Sequence, residues 1–300
     1  MPVKKVLIAG ATGYLGKFLL KECRQRGYWV RALARSTEKL DDVRDCVDDV
    51  FVGEATKPDT LQGLCEGIDV VISALGVASS RTSETISLEE VDYGGNSNIL
   101  KQAVEAGVQK FIYVAFVKTA DFEHLEITRI KEHFVSELRD SRLHYCVMRP
   151  TAFFSDMGEI VKQALKGTVY LLGSGQSRVN PIHGSDLAQV CLDAVDSPET
   201  EVSVGGPEIY SYEEAAKLAF KIIGKEPRIK KIPSWPFAIL LKLMRPFIRR
   251  RKFTLIQFLI AAFTKDSVVP KYGAYTLEKF FREKVGQGQY NMSYVDFRFC

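Results

Sequence analysis

The chain has 300 residues, with 41 Lys+Arg against 37 Asp+Glu, a formal net charge of +4 and a pI near 8.6. Hydrophobic content of 46% and charged content of 26% belong to a folded globular protein and exclude global disorder. A charge of +4 spread over this length excludes a nucleic-acid footprint.

Met1–Gly10 carries an apolar run too short for a signal peptide, so the expectation is a cytoplasmic protein. Runs at Lys5–Ala9, Tyr28–Ala34, Val50–Val52, Val70–Ala74, Phe111–Ala115 and Leu143–Met148 predict strands. Most are near-continuous apolar stretches, which suits strands covered on both faces of a parallel sheet. Helical patterns at 13–26, 58–66, 88–107 and 125–140 separate them with the spacing of βαβ units. The expected fold is α/β, a doubly wound parallel (Rossmann) sheet over 1–150. A smaller, mostly helical substrate-binding region over 151–300 is interleaved with the last sheet strands. In that region glycine turns (Gly173-Ser174-Gly175, Gly205-Gly206-Pro207) divide shorter elements, and Ser211 with Glu214 three residues on predicts a helix cap. The six cysteines (Cys23, Cys46, Cys65, Cys146, Cys191, Cys300) form no C-x-x-C pair and read as reduced, packed thiols. The four histidines (His124, His133, His144, His183) lack metal-ligand spacing, so no metal site is expected.

The strongest motif is VLIAGATGYLGKFLL. Gly10 permits a tight turn off the first strand, Gly13 lets a pyrophosphate approach the backbone, and Gly16 lets the following helix pack against the sheet. Thr12, Tyr14 and Leu15 complete this turn, whose free N–H groups and helix dipole favour phosphate. The second strand ends Ala34-Arg35-Ser36-Thr37, with no acid before Glu38 where an NAD site usually places one. Arg35 suits a 2′-phosphate and Ser36 adds a hydroxyl, which predicts NADP(H).

GATGYLG, IDVVISALG, VDYGGNSNILKQAVEAGVQKFIYVA and the later MRP resemble atypical short-chain dehydrogenases/reductases. MRPTAFFSDM, NPIHGSDLA, VGGPEIYSYEEAAKLAFKIIGKEPRIKKIP and KYGAYTLEKFF resemble the divinyl chlorophyllide 8-vinyl reductases and their near relatives. Ala74-Leu75-Gly76 ends the fourth strand, where small residues let a dinucleotide lie across the sheet edge or let a helix pack closely. The resemblance adds cofactor contacts at Ala115, the superfamily's serine position, and at Pro150 and Phe153, where Phe153 and Phe154 read equally as core aromatics. It also implies a catalytic lysine, Lys131, which orients the nicotinamide ribose or supplies a proton. The superfamily's serine and tyrosine positions hold Ala115 and Ile127, which removes the usual carbonyl–alcohol mechanism from those positions.

Ser234–Lys265 is basic and apolar together. Phe237, Leu240, Leu241, Met244, Phe247 and Ile248 follow helical spacing, with Lys242, Arg245, Arg249 and Lys252 on another side. Pro246 ends or kinks the first helix. The Arg/Lys block interrupts the stretch before the length of a membrane span. Two readings remain: helices folded over a substrate cleft, or a peripheral contact of 234–265 with an anionic membrane. The expected activity is NADPH-dependent reduction of a conjugated C=C in a small hydrophobic substrate. The alternative is a non-catalytic NADP(H)-binding regulator or assembly factor for a membrane complex.

Overall fold

A computed structural model describes residues 3–76, 87–246 and 248–286, without the side chains of Ala238 and Lys242. Phe247, Cys300 and the Lys242 side chain, noted above, lie outside the described residues. The first half contains β1 (Lys5–Ala9), α1 (Tyr14–Gln25), β2 (Trp29–Ala34), β3 (Asp49–Val52), β4 (Val70–Ser73), α2 (Asn96–Glu105), β5 (Lys110–Val114), α3 (Ala120–Glu123), α4 (Glu126–Asp140) and β6 (His144–Pro150). After it come α5 (Phe154–Leu165), β7 (Val169–Leu172), β8 (Arg178–Val179), α6 (Gly184–Asp193), β9 (Glu201–Val204), β10 (Tyr210–Ser211) and α7 (Tyr212–Ile223). The last elements are β11 (Ile229–Ile232), α8 (Ser234–Met244), α9 (Arg250–Thr264) and α10 (Leu277–Gly286).

Seven parallel strands form the central sheet in the order β3-β2-β1-β4-β5-β6-β9. The strands lack polar alternation because both faces are covered. Val6 and Ile8 of β1 feed one core with α1 and α6, while Leu7 and Ala9 feed the other with α2 and α4. β4, β5 and β6 split in the same way, with Ile72, Ile112 and Met148 on the first face and Val71, Phe111 and Val147 on the second. Burying each of these side chains stabilises the fold by roughly 1.5–3 kcal/mol.

Two of the expected helices differ. The pattern at 58–66 yields only a 3₁₀ turn, Pro58–Leu61, because Gly63 (φ 76°) and Gly67 (φ 67°) adopt the left-handed conformation and break any continuous helix. The pattern at 88–107 divides into a π-helical segment, Glu89–Gly95, followed by α2, and Asp92 is buried within the π segment. Ser211 caps α7 as expected: its Oγ accepts from the Glu214 N–H at 3.2 Å, while Glu214 Oε2 accepts from the Ser211 N–H at 2.7 Å.

Residues beyond Pro150 contribute β9 to the edge of the main sheet and α6 to its α1 face. They also build a separate core from α5, β7, α7 and α10, centred on Phe154, Met157, Phe220 and Phe281. Arg149, 2% exposed, joins the edge to the body. Its Nη1 donates to Glu132 of α4 at 2.7 Å and its Nε to Glu201 of β9 at 2.7 Å. Arg149→Ala would leave two carboxylates facing a vacated site. Both carboxylates are partly exposed and keep Lys118 and Arg139 nearby, so we expect a loss of about 1–3 kcal/mol, read as a lower denaturant midpoint with little change in m-value.

Candidate cofactor and substrate site

The residues singled out from the sequence converge at the carboxyl ends of the parallel strands, where an open α/β sheet binds its ligands. Gly10 follows β1, Arg35 and Ser36 follow β2, Ala74–Gly76 follow β4, Ala115 follows β5, and Pro150 ends β6. Gly10 has φ 78°, and a Cβ there would stand 2.6 Å from the Ala74 carbonyl oxygen. A Cβ on Gly16 would stand 2.1 Å from the Gly10 carbonyl oxygen. Gly13 closes the turn by donating its N–H to Gly10 O at 2.9 Å. No side chain caps the start of α1 and its first turn carries no acid, so its positive end is left for an anion.

Tyr14 and Leu15 turn away from that end. Leu15 is buried in the α1 core and offers the turn only its backbone. The Tyr14 hydroxyl accepts from the Gly184 N–H at 3.1 Å, and its ring lies 5.7 Å from Phe153. Of the two phenylalanines after Thr151, Phe154 is a core residue and the half-buried Phe153 faces the turn. His183 stacks on Tyr275 at 4.0 Å with rings 10° from parallel, and Phe18 and Phe154 flank it. Arg35 is exposed at the end of β2; Glu54 is held below its ordinary range chiefly by Lys57, with Arg35 adding the smallest share. Glu38 sits below its ordinary range through hydrogen bonds from its own backbone and from Ser36.

Lys131 is buried. Its Nζ lies 2.6 Å from Asp92 Oδ1 and donates to the Tyr113 hydroxyl at 3.4 Å. Burial alone would lower its pKa, but Asp92 and Tyr113 outweigh that and hold it above its ordinary value. The lysine is therefore a fixed cation and a poor proton source. A Cβ on Gly76 would stand 3.1 Å from Asp92 Oδ1 and 3.5 Å from Lys131 Nζ, so glycine keeps this pair open toward the end of β4. Ile127 is buried in an apolar cluster with Phe122 and Leu125, against Phe116, Phe258 and Ala261. At the position where the resemblance expects a tyrosine, the structure holds a buried aliphatic side chain.

Sequence reasoning missed Asp92 and Tyr113, because their pairing with Lys131 spans the π segment, a strand and a helix. It also missed Asp156, in the first turn of α5, whose Oδ2 accepts from the Phe153 N–H at 3.0 Å. This carboxylate is exposed; neighbouring protein desolvates it in part and raises its pKa, while the hydrogen bond from the Phe153 N–H lowers it. Tyr93 stacks on His133 at 4.2 Å. Both line a cavity of about 1140 Å³ between α4, the π segment and the start of α9, together with Ile130, Arg129, Arg245 and Phe253.

A family model described as NAD(P)H-binding matches residues 10–198. The divinyl chlorophyllide a 8-vinyl-reductase of Arabidopsis thaliana is 29% identical, over 94% of this chain and 77% of its own. The photosystem II assembly factor Ycf39 of Trieres chinensis is 26% identical, over 76% of this chain and 72% of its own. The NADPH-dependent quinone oxidoreductase QOR2 of Escherichia coli, solved with NADPH, superposes with a TM-score of 0.71 at 16% identity, over 94% and 99% of the two chains.

Burial lowers the His183 pKa, although Asp186 and Glu283 pull it upward. The unfolded chain therefore takes up this proton at a higher pH than the folded one, and stability falls as pH drops below about 6.5. His183→Asn keeps an acceptor for the Ser185 N–H that the ring now serves at 3.2 Å. The difference between variant and parent unfolding free energies should narrow as pH falls from 7 to 5. A constant difference would show that His183 does not titrate on unfolding.

Proposed function

This chain belongs to the NAD(P)H-binding family as an atypical short-chain dehydrogenase/reductase, and from that premise we propose that it reduces a conjugated C=C of a large hydrophobic molecule with NADPH. The 8-vinyl group of divinyl chlorophyllide is the substrate we assign, following the relative that carries that name. One observation carries the reading: the phosphate turn is intact while apolar Ala115 and Ile127 stand where a carbonyl reductase needs hydroxyls.

The glycine turn and the uncapped start of α1 fit a pyrophosphate, and exposed Arg35 fits a 2′-phosphate. A nicotinamide nucleotide held there supplies a hydride. Lys131, anchored by Asp92, keeps a fixed positive charge near the ends of β4 and β5 without giving up its proton. A conjugated acceptor spreads the developing charge over many atoms, so it depends less on a hydroxyl donor than a carbonyl does. Asp156, with its raised pKa, is the acid we assign to protonate the second carbon. The Tyr93–His133 stack offers a flat surface to a planar substrate, and Arg129 and Arg245 offer charge to its acidic group.

Incubation of the purified protein with NADPH and divinyl chlorophyllide should convert the pigment's absorbance to that of the monovinyl product. Turnover should fall as pH rises above about 6, as a required acid loses its proton. Asp156→Asn should cut kcat at least tenfold and abolish that limb. Arg35→Ala should weaken NADPH by about tenfold or more and leave NADH nearly unchanged, as loss of a charge-assisted fork predicts. Equal losses for the two nucleotides would reject the 2′-phosphate assignment.

Ala115 and Ile127 also favour a second reading, in line with the Ycf39 relatives: a nucleotide-loaded, non-catalytic assembly factor or regulator for a membrane complex. Tight NADPH binding with no turnover of any conjugated substrate would select it.

A further inference from the structure

Helices α8 and α9 share one composition but take different positions. α9 packs against Phe122 and Ile127, with Phe258, Ala261 and Ala262 in partly buried contact. α8 anchors through Leu241, which is 7% exposed, with Phe237 half-buried beside it on the chain, and leaves Trp235, Ile239, Leu240, Leu243 and Met244 exposed. Trp235 and Leu243 are each 68% exposed, Leu240 55% and Ile239 52%. At 100° per residue, positions 235, 239, 243, 240 and 244 cover half the helix circumference, and every one of them is apolar. Isolated exposed apolar residues are ordinary, but a continuous patch of this kind marks a surface that meets something.

Within this segment of the chain the charge is of one sign. Ten of the chain's 41 basic residues lie between Pro227 and Lys265, where no Asp or Glu occurs. That leaves 31 cations against 37 carboxylates in the rest, so a basic segment is set on an otherwise acidic protein. Arg228 and Lys230 are exposed before α8, and Arg245 is exposed directly after it. Some of this charge is neutralised: Lys231 pairs with Glu213, Arg250 with Glu126 and Lys265 with Asp121. The exposed cations at both ends of the helix remain, and they bracket the apolar face along the chain.

We propose that α8 is an interfacial helix that lies on the surface of an anionic lipid bilayer, its Trp235–Leu243 face in the acyl boundary and Arg228, Lys230 and Arg245 at the headgroups. An apolar half-cylinder with basic ends and an aromatic residue at its start is complementary to that surface. A second copy of the chain is a poorer occupant, because apposed α8 faces would bring the two basic segments together. Among the described residues no helix is long and apolar enough to cross a membrane, so the contact is peripheral. It does not depend on the chemistry assigned above, and it places the Arg245-lined cavity beside a lipid phase.

Flotation with phosphatidylcholine vesicles, with and without phosphatidylglycerol, tests it on the full chain. Binding should be at least tenfold tighter to the anionic vesicles, since each engaged cation adds about 1 kcal/mol, and should weaken steeply with salt. In a Trp29→Phe background the emission of Trp235 should shift to the blue on those vesicles and be quenched by brominated acyl chains. The double substitution Trp235→Ser and Leu243→Ser removes only exposed side chains. It should reduce binding about tenfold or more while thermal unfolding stays within a few degrees of the parent. Indifference to phosphatidylglycerol, unchanged binding by the double variant, or an α8-dependent dimer in sedimentation velocity would overturn the proposal.

Discussion

The Gly10 carbonyl and the backbone of Gly16 approach so closely that a methyl group on residue 16 would stand 2.1 Å from that oxygen. This approach lets α1 start directly beyond the end of β1, so that its uncapped N–H groups meet the crevice where the strand order reverses. The carbonyl of Ala74 constrains Gly10 from the other side, tying the turn to the end of β4. Strand ends, helix dipole and crevice are thereby set by backbone contacts that only glycine tolerates. The side chains that give the site its character are arranged around them.

Those side chains do not repeat the usual pattern of the superfamily. Lys131 is present, but its partners are Asp92 from the π segment and Tyr113 from β5, both buried. A buried cation of this kind costs desolvation energy unless an opposite charge meets it, and Asp92 does so at 2.6 Å. The pair fixes a charge, whereas the Ser and Tyr of related enzymes move a proton. Ile127 is sealed in an apolar cluster beneath α9, and the start of α5 carries a carboxylate, Asp156, that accepts from the Phe153 N–H. Retained nucleotide binding beside altered proton transfer is a combination that suits both groups of relatives.

The C-terminal region shows how one apolar composition serves two purposes. α9 uses its apolar side chains to close over α4, while α8, joined to it through Pro246, turns most of its own outward. Arg149 provides the corresponding rigidity at the sheet edge, where it holds α4 and β9 to β6.

The parallel sheet, the glycine turn and the place of Arg35 at the end of β2 were legible in the sequence because they rest on local patterns: apolar runs, glycine spacing and strand-to-helix succession. Lys131 came from the family resemblance instead. Ser211 with Glu214 was legible for the same reason, since a cap involves residues three apart. The helix expected over 58–66 failed where Gly63 and Gly67 enter the left-handed region, a conformation that periodicity does not report. The Asp92–Lys131–Tyr113 cluster, the Tyr93–His133 stack and the Arg149 clamp were decided by tertiary structure alone. Each joins groups far apart in the chain, and their pairing depends on which faces the sheet and helices present to one another. For 234–265 the sequence determined that an apolar face exists, and only packing decided that α9 half-buries its apolar side chains while α8 leaves Trp235, Ile239, Leu240, Leu243 and Met244 in contact with solvent.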